Sequence, residues 1–516
     1  MVWTSPYGQT TIPDRSLPEF VLERAEEFGD KPALIDGPSG RTLTFNEVLS
    51  GVRSVAAGLA ERGFGKGDVF GLYLPNLPEY AVAFHGVALA GGVNTTINPQ
   101  FTAEEAARQL RNAGARFLLT VPPLLSKAAA AAEEAEIEEL FVLGEGDGAT
   151  PFQSLFGEGE PPLVEIDPAN DLVALPYSSG TTGLPKGVML THRNLVANLV
   201  QTEGPLPLEP EDTTIGVLPF FHIYGMTVIM NLCLRHGATV VTMPQFDLEA
   251  FLSLLAEHRV TRAFVVPPIV LALSKHPLVD DFDLSALRLV FSGAAPLGVD
   301  LEEAVRERLG CVVAQGYGMT ESSPVTHANP DDTEKGKPGT IGPLVGETEA
   351  RIVSLEGEDV GAGETGELWV RGPQVMPGYL NDEEATRATI DTDGWLHTGD
   401  IAEADDDGYF TIVDRVKELI KYKGYQIAPA ELEAVLVNHP DIDDAAVIGI
   451  DDEEAGEIPK AFVVTSGEAT AEEIMEYVGE QVAPYKKVRQ VAFIDEIPKS
   501  ASGKILRREL TDAEHG

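Results

Sequence analysis

The apolar positions of the chain fall into two kinds of run. Short β-branched stretches recur at VFGLYL (69–74), RFLLTV (116–121), LVALPYSS (172–179), TTIGVLPF (213–220), TRAFVVP (261–267) and LRLVFSG (287–293). Between them lie longer stretches with apolar residues three and four apart, such as FNEVLSGVRSVAAGLAERG (45–63) and DLEAFLSLLAEHR (247–259). The first kind predicts buried strands and the second amphipathic helices. Strands alternating with helices imply an α/β architecture of mainly parallel sheets covered by helices. The Ala/Glu-rich segment SKAAAAAEEAEIEEL (126–140) predicts an exposed surface helix.

After about residue 338 the texture changes. GELWVRGPQVMPGYL and the Gly/Asp-rich stretch up to Gly408 predict shorter strands and turns, the pattern of a small barrel. From residue 415, KELIKYKGYQIAPAELEAVLVNHP opens with a strand and a turn at Lys423-Gly424, then a helix with Pro429 at its start. DAAVIGI, KAFVVTS, AEEIMEYVGEQV and VAFIDEI complete a compact α+β pattern. A domain boundary is expected at 415–417, dividing the chain into 1–414 and 415–516.

The 516 residues carry 82 acidic and 37 basic side chains, a formal charge of -45. Such a chain cannot neutralise a row of phosphates, which argues against nucleic acid and anionic membranes as partners. The start, MVWTSPYGQTTIPDRS, has no basic segment followed by an apolar one, so no signal peptide is expected. The strongest apolar run, AFVVPPIVLAL (263–273), is short and broken by two prolines, so no membrane span is expected. Cys233 and Cys311 are isolated, which predicts neither a disulfide framework nor a thiolate zinc site. A soluble cytoplasmic protein is expected. Lysine is scarce, 15 in all with 8 after residue 400. A surface stripped of lysine and loaded with carboxylates stays hydrated at high salt, which suggests a halophilic host. A lysine retained in a glycine-rich loop of such a chain is a candidate for chemistry.

Five loops carry that chemistry. YSSGTTGLPKGV (177–188) gathers Ser178, Ser179, Thr181 and Thr182 with Gly180, Gly183 and Gly187 and the mobile cation Lys186. Such a loop can cradle a polyphosphate. It is not a Walker A loop, because Gly187 stands where Ser or Thr would follow the lysine. In QGYGMTES (315–322), Thr320 can bind a phosphate oxygen and Glu321 can hold Mg²⁺; by itself the pair reads equally as a helix N-cap. In DGWLHTGD (393–400), Asp400 can accept from ribose hydroxyls, although alone the string reads as a turn. VDRVKELIKYKGYQIAPAELE (413–433) is dense in Lys and Arg, and IPKSASGKILRREL (497–510) places Lys504 in a Ser/Gly loop. Standing alone, the last is as well explained as a solvated basic tail.

Together, in this order, the five resemble the adenylate-forming superfamily of acyl-CoA synthetases, peptide-synthetase adenylation domains and firefly-type luciferases. The strings VPPIVLAL, SGAAPLG, GYGMTE, GYLND, DGWLHTGD, KELIKYKGYQIAPAELE and PKSASGKILRREL are similar to those of its 4-coumarate:CoA ligase branch, and the likeness runs from about residue 20 to 512. The resemblance implies a large N-terminal domain of two helix-covered sheets plus a small β-barrel, and a small mobile α+β C-terminal domain. It implies ATP, Mg²⁺ and CoA, a small carboxylic acid as substrate (fatty or aryl/cinnamic), and a monomer or homodimer.

Site roles follow from the same resemblance. The loop Ser178–Lys186 would hold the ATP β,γ-phosphates, Thr320 would contact the α-phosphate, and Glu321 would bind the metal. Asp400 and Arg415 would hold the ribose, with Gly293–Ala295, including Ala294, and Gly316–Tyr317 flanking the adenine. Lys504 resembles the catalytic lysine, while Lys421 and Gln426 match positions that assist the half-reactions. Lys417 matches the hinge, and the loop at Lys423 and Gly424 would line the CoA channel. His222, Tyr224, Gly318, Pro324 and Val325 match acyl-pocket positions. Plant members commonly carry a lysine just before SGA; this chain has Phe291, which leans toward a less polar acid. Lys504 and Gly424 lie ~80 residues apart, and family members present them in turn by rotating the domain. The leading expectation is an AMP-forming acid–CoA ligase. An enzyme loading a separate carrier protein is the alternative, since the chain has no GGxS carrier site of its own.

Overall fold

A computed structural model describes residues 1–516 except 9, 179–184, 355, 416, 424, 453, 454, 468, 502 and 516, and except the side chains of Gln426 and His515. Two eight-stranded sheets dominate the first 380 residues. The first runs in the order Gly378–Tyr379, Lys186–Thr191, Leu172–Ser178, Val93–Thr96, Val69–Leu72, Ala115–Thr120, Glu139–Val142, Thr150–Pro151. The second runs Val325–Ala328, Val312–Gly318, Leu289–Ser292, Arg262–Val265, Thr213–Gly216, Thr239–Thr242, Pro32–Asp36, Thr42–Thr44. Both are parallel at their centres and antiparallel at one or both edges. Each expected strand is present; that over 116–121 keeps its length but starts one residue earlier, at Ala115, and the others are one to four residues shorter than their apolar runs.

The helix Pro78–Leu89 buries ten of its twelve residues, and it packs against Phe45–Glu61. A helix apolar on every face belongs at the centre of a large core rather than on its surface. Phe45–Glu61 is the contrasting case, with one buried stripe and a capping box in which Thr44 and Glu47 satisfy each other's backbone groups.

The expected small barrel takes the form of a five-stranded antiparallel sheet, with Trp3–Thr4 at one edge, then Glu349–Val353, Thr365–Arg371, Leu396–Ala404 and Phe410–Arg415. The N-terminal strand was not legible, because two residues carry no period. A separate sheet begins at Ile420. The hairpin Ile420–Tyr422/Tyr425–Ile427 joins Gly456–Thr465 and Ile442–Asp452, and Gln490–Phe493 adds in parallel. Alternation along Ile442–Asp452 gives this sheet two cores. Ala445 and Val447 face the helices Pro429–Val437 and Ala471–Gln481, while Ala446 and Ile448 face Leu510 of the last helix, Arg507–His515.

Two expectations needed adjustment. The helix expected over 126–140 spans Leu125–Glu134, and Glu139–Val142 is a strand paired with the segment from Phe117. Its turn passes through Glu136 in the left-handed region, φ 55°. The strand expected over 213–220 ends at Gly216. There Asn76 Nδ2 donates to Gly216 O and Leu218 O, each at 2.8 Å, and Asn76 Oδ1 accepts from Phe220 N at 2.7 Å. Cys233 and Cys311 are free and buried. Among the described residues no helix is long and apolar enough to cross a membrane.

Candidate active site

The sequence motifs converge where several strands of the two large sheets end. Ser178 closes Leu172–Ser178, His222 follows Thr213–Gly216, Gly293 follows Leu289–Ser292, and Gly316 to Gly318 close Val312–Gly318. The carboxyl ends of parallel strands are where open α/β sheets leave a crevice for ligands. The close packing there explains the glycines: a Cβ on Gly318 would stand 2.1 Å from Pro324 O, and one on Gly316 2.7 Å from the Phe291 ring. Ala294 takes a left-handed φ of 71° in the loop that follows.

Glu321, buried in the turn Thr320–Ser322, receives two hydroxyls on one oxygen. Ser178 Oγ and Tyr379 OH both donate to Glu321 Oε1 at 2.8 Å. No described residue donates to Oε2. Among the described residues no group of three His, Cys, Asp or Glu side chains could hold a metal. One oriented carboxylate fits Mg²⁺, a hard cation that keeps few protein ligands beside substrate phosphates. Lys186 lies 3.8 Å from Asp382 and over the Tyr379 ring at 5.2 Å, so the loop's cation stands on the same side. Ser179, Gly180, Thr181, Thr182 and Gly183 lie outside the described residues.

A second cluster gathers at the end of the strand Val312–Gly318, just before the turn of Glu321. Asp400 and Arg415 are register partners on neighbouring strands, and Arg415 Nε donates to Asp400 Oδ1 at 2.9 Å. Tyr317 OH donates to Asp400 Oδ2 at 2.5 Å, tying this pair to the end of Val312–Gly318. Burial, then the neighbouring carboxylate, holds the Tyr317 phenol protonated well above its usual range. Asp400 is therefore part of a strand, not the turn its string suggested, and presents a fixed acceptor.

Lys504 reaches this crevice from the C-terminal domain. A Cβ on its neighbour Gly503 would lie 2.9 Å from Val266 Cγ2, so the turn is seated directly on the wall of the N-terminal domain. Burial first, then the Arg415 charge, brings the Lys504 ammonium down to about 8, against the opposing pull of Glu418 and Asp400. His222 feels the same charge: burial first, then Lys504, pushes its imidazole down to about 4. Tyr224 N donates to His222 Nδ1 at 3.3 Å, which leaves the proton of the neutral ring on Nε2. The loop bearing His222 is pinned by Asn76 and by Thr96 Oγ1, which donates to Phe221 O at 2.7 Å.

The remaining expected residues divide. Tyr224 is buried, with its OH on Phe291 O at 3.3 Å, and Phe291 packs against Phe264 with ring centroids 6.0 Å apart. Val325 N is fixed by Asn198 Oδ1 at 3.0 Å. Lys421 and Lys423, by contrast, lie exposed on the hairpin. Lys417 belongs to the connection between the two sheets, while Gly424 and the Gln426 side chain are outside the description. Sequence reasoning gave no role to Tyr379 and Asp382, although the quoted string GYLND contains both. Asn76 had no signal at all.

Ser178, Lys186 and the oriented carboxylate of Glu321, the clasped carboxylate of Asp400 and the half-buried ammonium of Lys504 thus lie on elements from distant parts of the chain. The chain belongs to the AMP-binding enzyme family: residues 21–380 match the AMP-binding enzyme model and 431–504 that of the AMP-binding enzyme C-terminal domain. It is 47% identical over 509 residues to a 4-coumarate–CoA ligase of Pinus taeda, covering 96% of this chain and 94% of the relative. It is 46% identical over 521 residues to 4-coumarate–CoA ligase 2 of Petroselinum crispum, covering 97% and 96%. Among solved structures, the anthranilate CoA ligase AuaEII in complex with anthranoyl-AMP superposes with a TM-score of 0.90 at 28% identity, covering 98% of each chain. The o-succinylbenzoate CoA synthetase of Bacillus subtilis, in complex with its acyl-adenylate OSB-AMP, gives 0.82 at 30% identity, covering 96% of this chain and 98% of that one.

Proposed function

We propose that the protein is an AMP-forming acid–CoA ligase for a cinnamic- or other aryl-type acid. The observation that carries this reading is the seating of Lys504 in the crevice beside Asp400, Arg415 and His222. A carboxylate approaching an α-phosphate brings two anions together, so a cation must stand between them. Lys504 fills that role. Ser178 and Lys186 hold the polyphosphate end, and Asp400 with Arg415 fixes the ribose. Mg²⁺ on Glu321 would neutralise phosphate charge. The acid's oxygen bonds to the α-phosphorus as the bond to pyrophosphate breaks. In the second half-reaction the CoA sulfur bonds to the acyl carbon and AMP leaves.

CoA is favoured over a carrier protein because the near-full-length relatives are CoA ligases. Phe291 puts an apolar ring where a lysine would bind a ring hydroxyl, so the preferred acid is the less hydroxylated one. The reading places the enzyme in the cytoplasm, as monomer or homodimer, and the charge of -45 favours activity in high salt. The test is release of AMP and pyrophosphate from ATP and Mg²⁺ in molar KCl, with cinnamic, benzoic and fatty acids, with and without CoA. AMP formation requiring both an acid and CoA, with acyl-CoA seen by mass spectrometry, is the expected result. Pyrophosphate exchange without any thioester would refute CoA as the acceptor.

A further inference from the structure

A chain of charged side chains runs from the nucleotide side of the crevice to the last helix. Arg415, which holds Asp400, also lies 3.8 Å from Glu418. Glu418 Oε2 accepts from Arg507 Nη1 at 2.6 Å, and Arg507 Nη2 spans Glu433 with bonds of 2.8 and 2.7 Å. Arg507 is only 16% exposed and Glu433 12%, so these pairs are little screened by solvent.

Arg507 stands three residues after Lys504, and the turn that ends at Lys504 is braced. Ser500 N donates to Lys504 O and Gly503 N to Ser500 O at 2.8 Å, while Lys504 N donates to Ser500 Oγ at 3.1 Å. Leu506 N donates to Pro498 O at 2.8 Å. Whatever fixes Arg507 therefore fixes the base of the turn that carries Lys504. The Arg507–Glu433 fork lies wholly within the C-terminal domain and would travel with it. Glu418 differs: it touches Arg507 of the last helix on one side and, three residues back in the chain, Arg415 at the end of the strand Phe410–Arg415 on the other. Docking the turn brings Arg415, Arg507 and Lys504 close together, and Glu418 is the carboxylate between the two arginines. The Lys504 ammonium, already lowered by burial and by Arg415, is supported by Glu418 and Asp400.

We propose that Glu418 is a positioning residue for adenylation, bridging Arg415 and Arg507 so that Lys504 is seated in the crevice only while the domain is docked. This rests on the adenylation half of the ligase reading. The test is Glu418→Gln in the full chain, a change of the same shape that leaves Arg507 its fork on Glu433. Acid-dependent ATP–pyrophosphate exchange should fall about tenfold, the loss of a charge-assisted contact. Thioester formation from supplied acyl-adenylate and CoA should stay within about twofold. The alkaline limb of the exchange profile should move to lower pH, and Glu418→Asp should restore part of both. Equal loss in the two half-reactions, unchanged exchange, or reduced exchange with an unmoved alkaline limb would each overturn the proposal. Absence of exchange in the wild type with every acid would instead refute the ligase reading.

Discussion

Lys504 and the hairpin lysines Lys421 and Lys423 belong to one small domain and live in opposite surroundings. The turn carrying Lys504 packs through Gly503 against Val266, and burial lowers the Lys504 ammonium to about 8. Lys421 and Lys423 are exposed, with Lys423 at the turn in a left-handed φ of 48°. The turn of Lys504 is thus committed to the crevice while the two hairpin lysines face solvent. If the hairpin assists the thiol step, the domain must leave and return in another pose, which makes docking part of turnover. The lesson is that a lysine's neighbours, not its motif, decide which half-reaction it can serve.

The comparison breaks most sharply at Lys504→Ala. Pyrophosphate exchange should fall about 10²–10³-fold, the range for removing one preorganised charge-stabilising group, while thioester formation from supplied acyl-adenylate survives. Equal loss of both steps would remove the division of labour. Asp400→Ala comes next. It strips Arg415 and Tyr317 of their shared acceptor and should lower kcat/KM for ATP about 10–100-fold, the loss of one or two charge-assisted bonds. Tyr379→Phe removes one of the two donors orienting Glu321. The Mg²⁺ concentration for half-maximal exchange should rise roughly tenfold. An unchanged Mg²⁺ titration would dissociate Glu321 from the metal.

Acidity sharpens the contrast further. Lys504 must be charged to receive a carboxylate, so kcat/KM for exchange should decline as pH rises through about 8. The same lowering has a stability sign. Between about 8 and the unfolded value near 10.4 the unfolded chain binds the extra proton, so this group's contribution to stability increases with pH there. Thermal melts of the wild type and Lys504→Met across that window should converge as pH rises. The smallest effect is expected at Lys423→Ala, with exchange unchanged and thioester formation reduced about threefold, a contact made by an exposed side chain. A loss of exchange there would show that both faces serve the first step.

Much of this was legible beforehand because strands and glycine-rich loops are local devices. The six apolar runs became strands and Pro429 opened its helix, and the loop holding Ser178 could be read as chemistry from residue types alone, whereas Glu321, Asp400 and Lys504 took their expected roles from the family resemblance. Failures came where a distant partner overrode local preference. Helical propensity carried the expectation from 126 to 140, but Glu139–Val142 found a sheet edge. Asn76, Glu418 and Arg507 carry no distinguishing pattern, since each acts through a contact between segments far apart in the chain.

The sequence by itself determined the alternation of strands and helices, the glycine- and hydroxyl-rich loop at 177–188, the family resemblance and the excess of negative charge. These are set by periodicity, glycine placement and composition, which act over a few residues or over the sum of all of them. Only the tertiary structure decided that Asp400 would be clasped by both Tyr317 and Arg415, and that Ser178 and Tyr379 would share one oxygen of Glu321. It also decided that Lys504, rather than Lys421 or Lys423, would be the lysine in the crevice. Those outcomes depend on burial and on charges brought within a few ångströms from remote segments, and Coulomb energy and desolvation have no expression in a chain until it is folded.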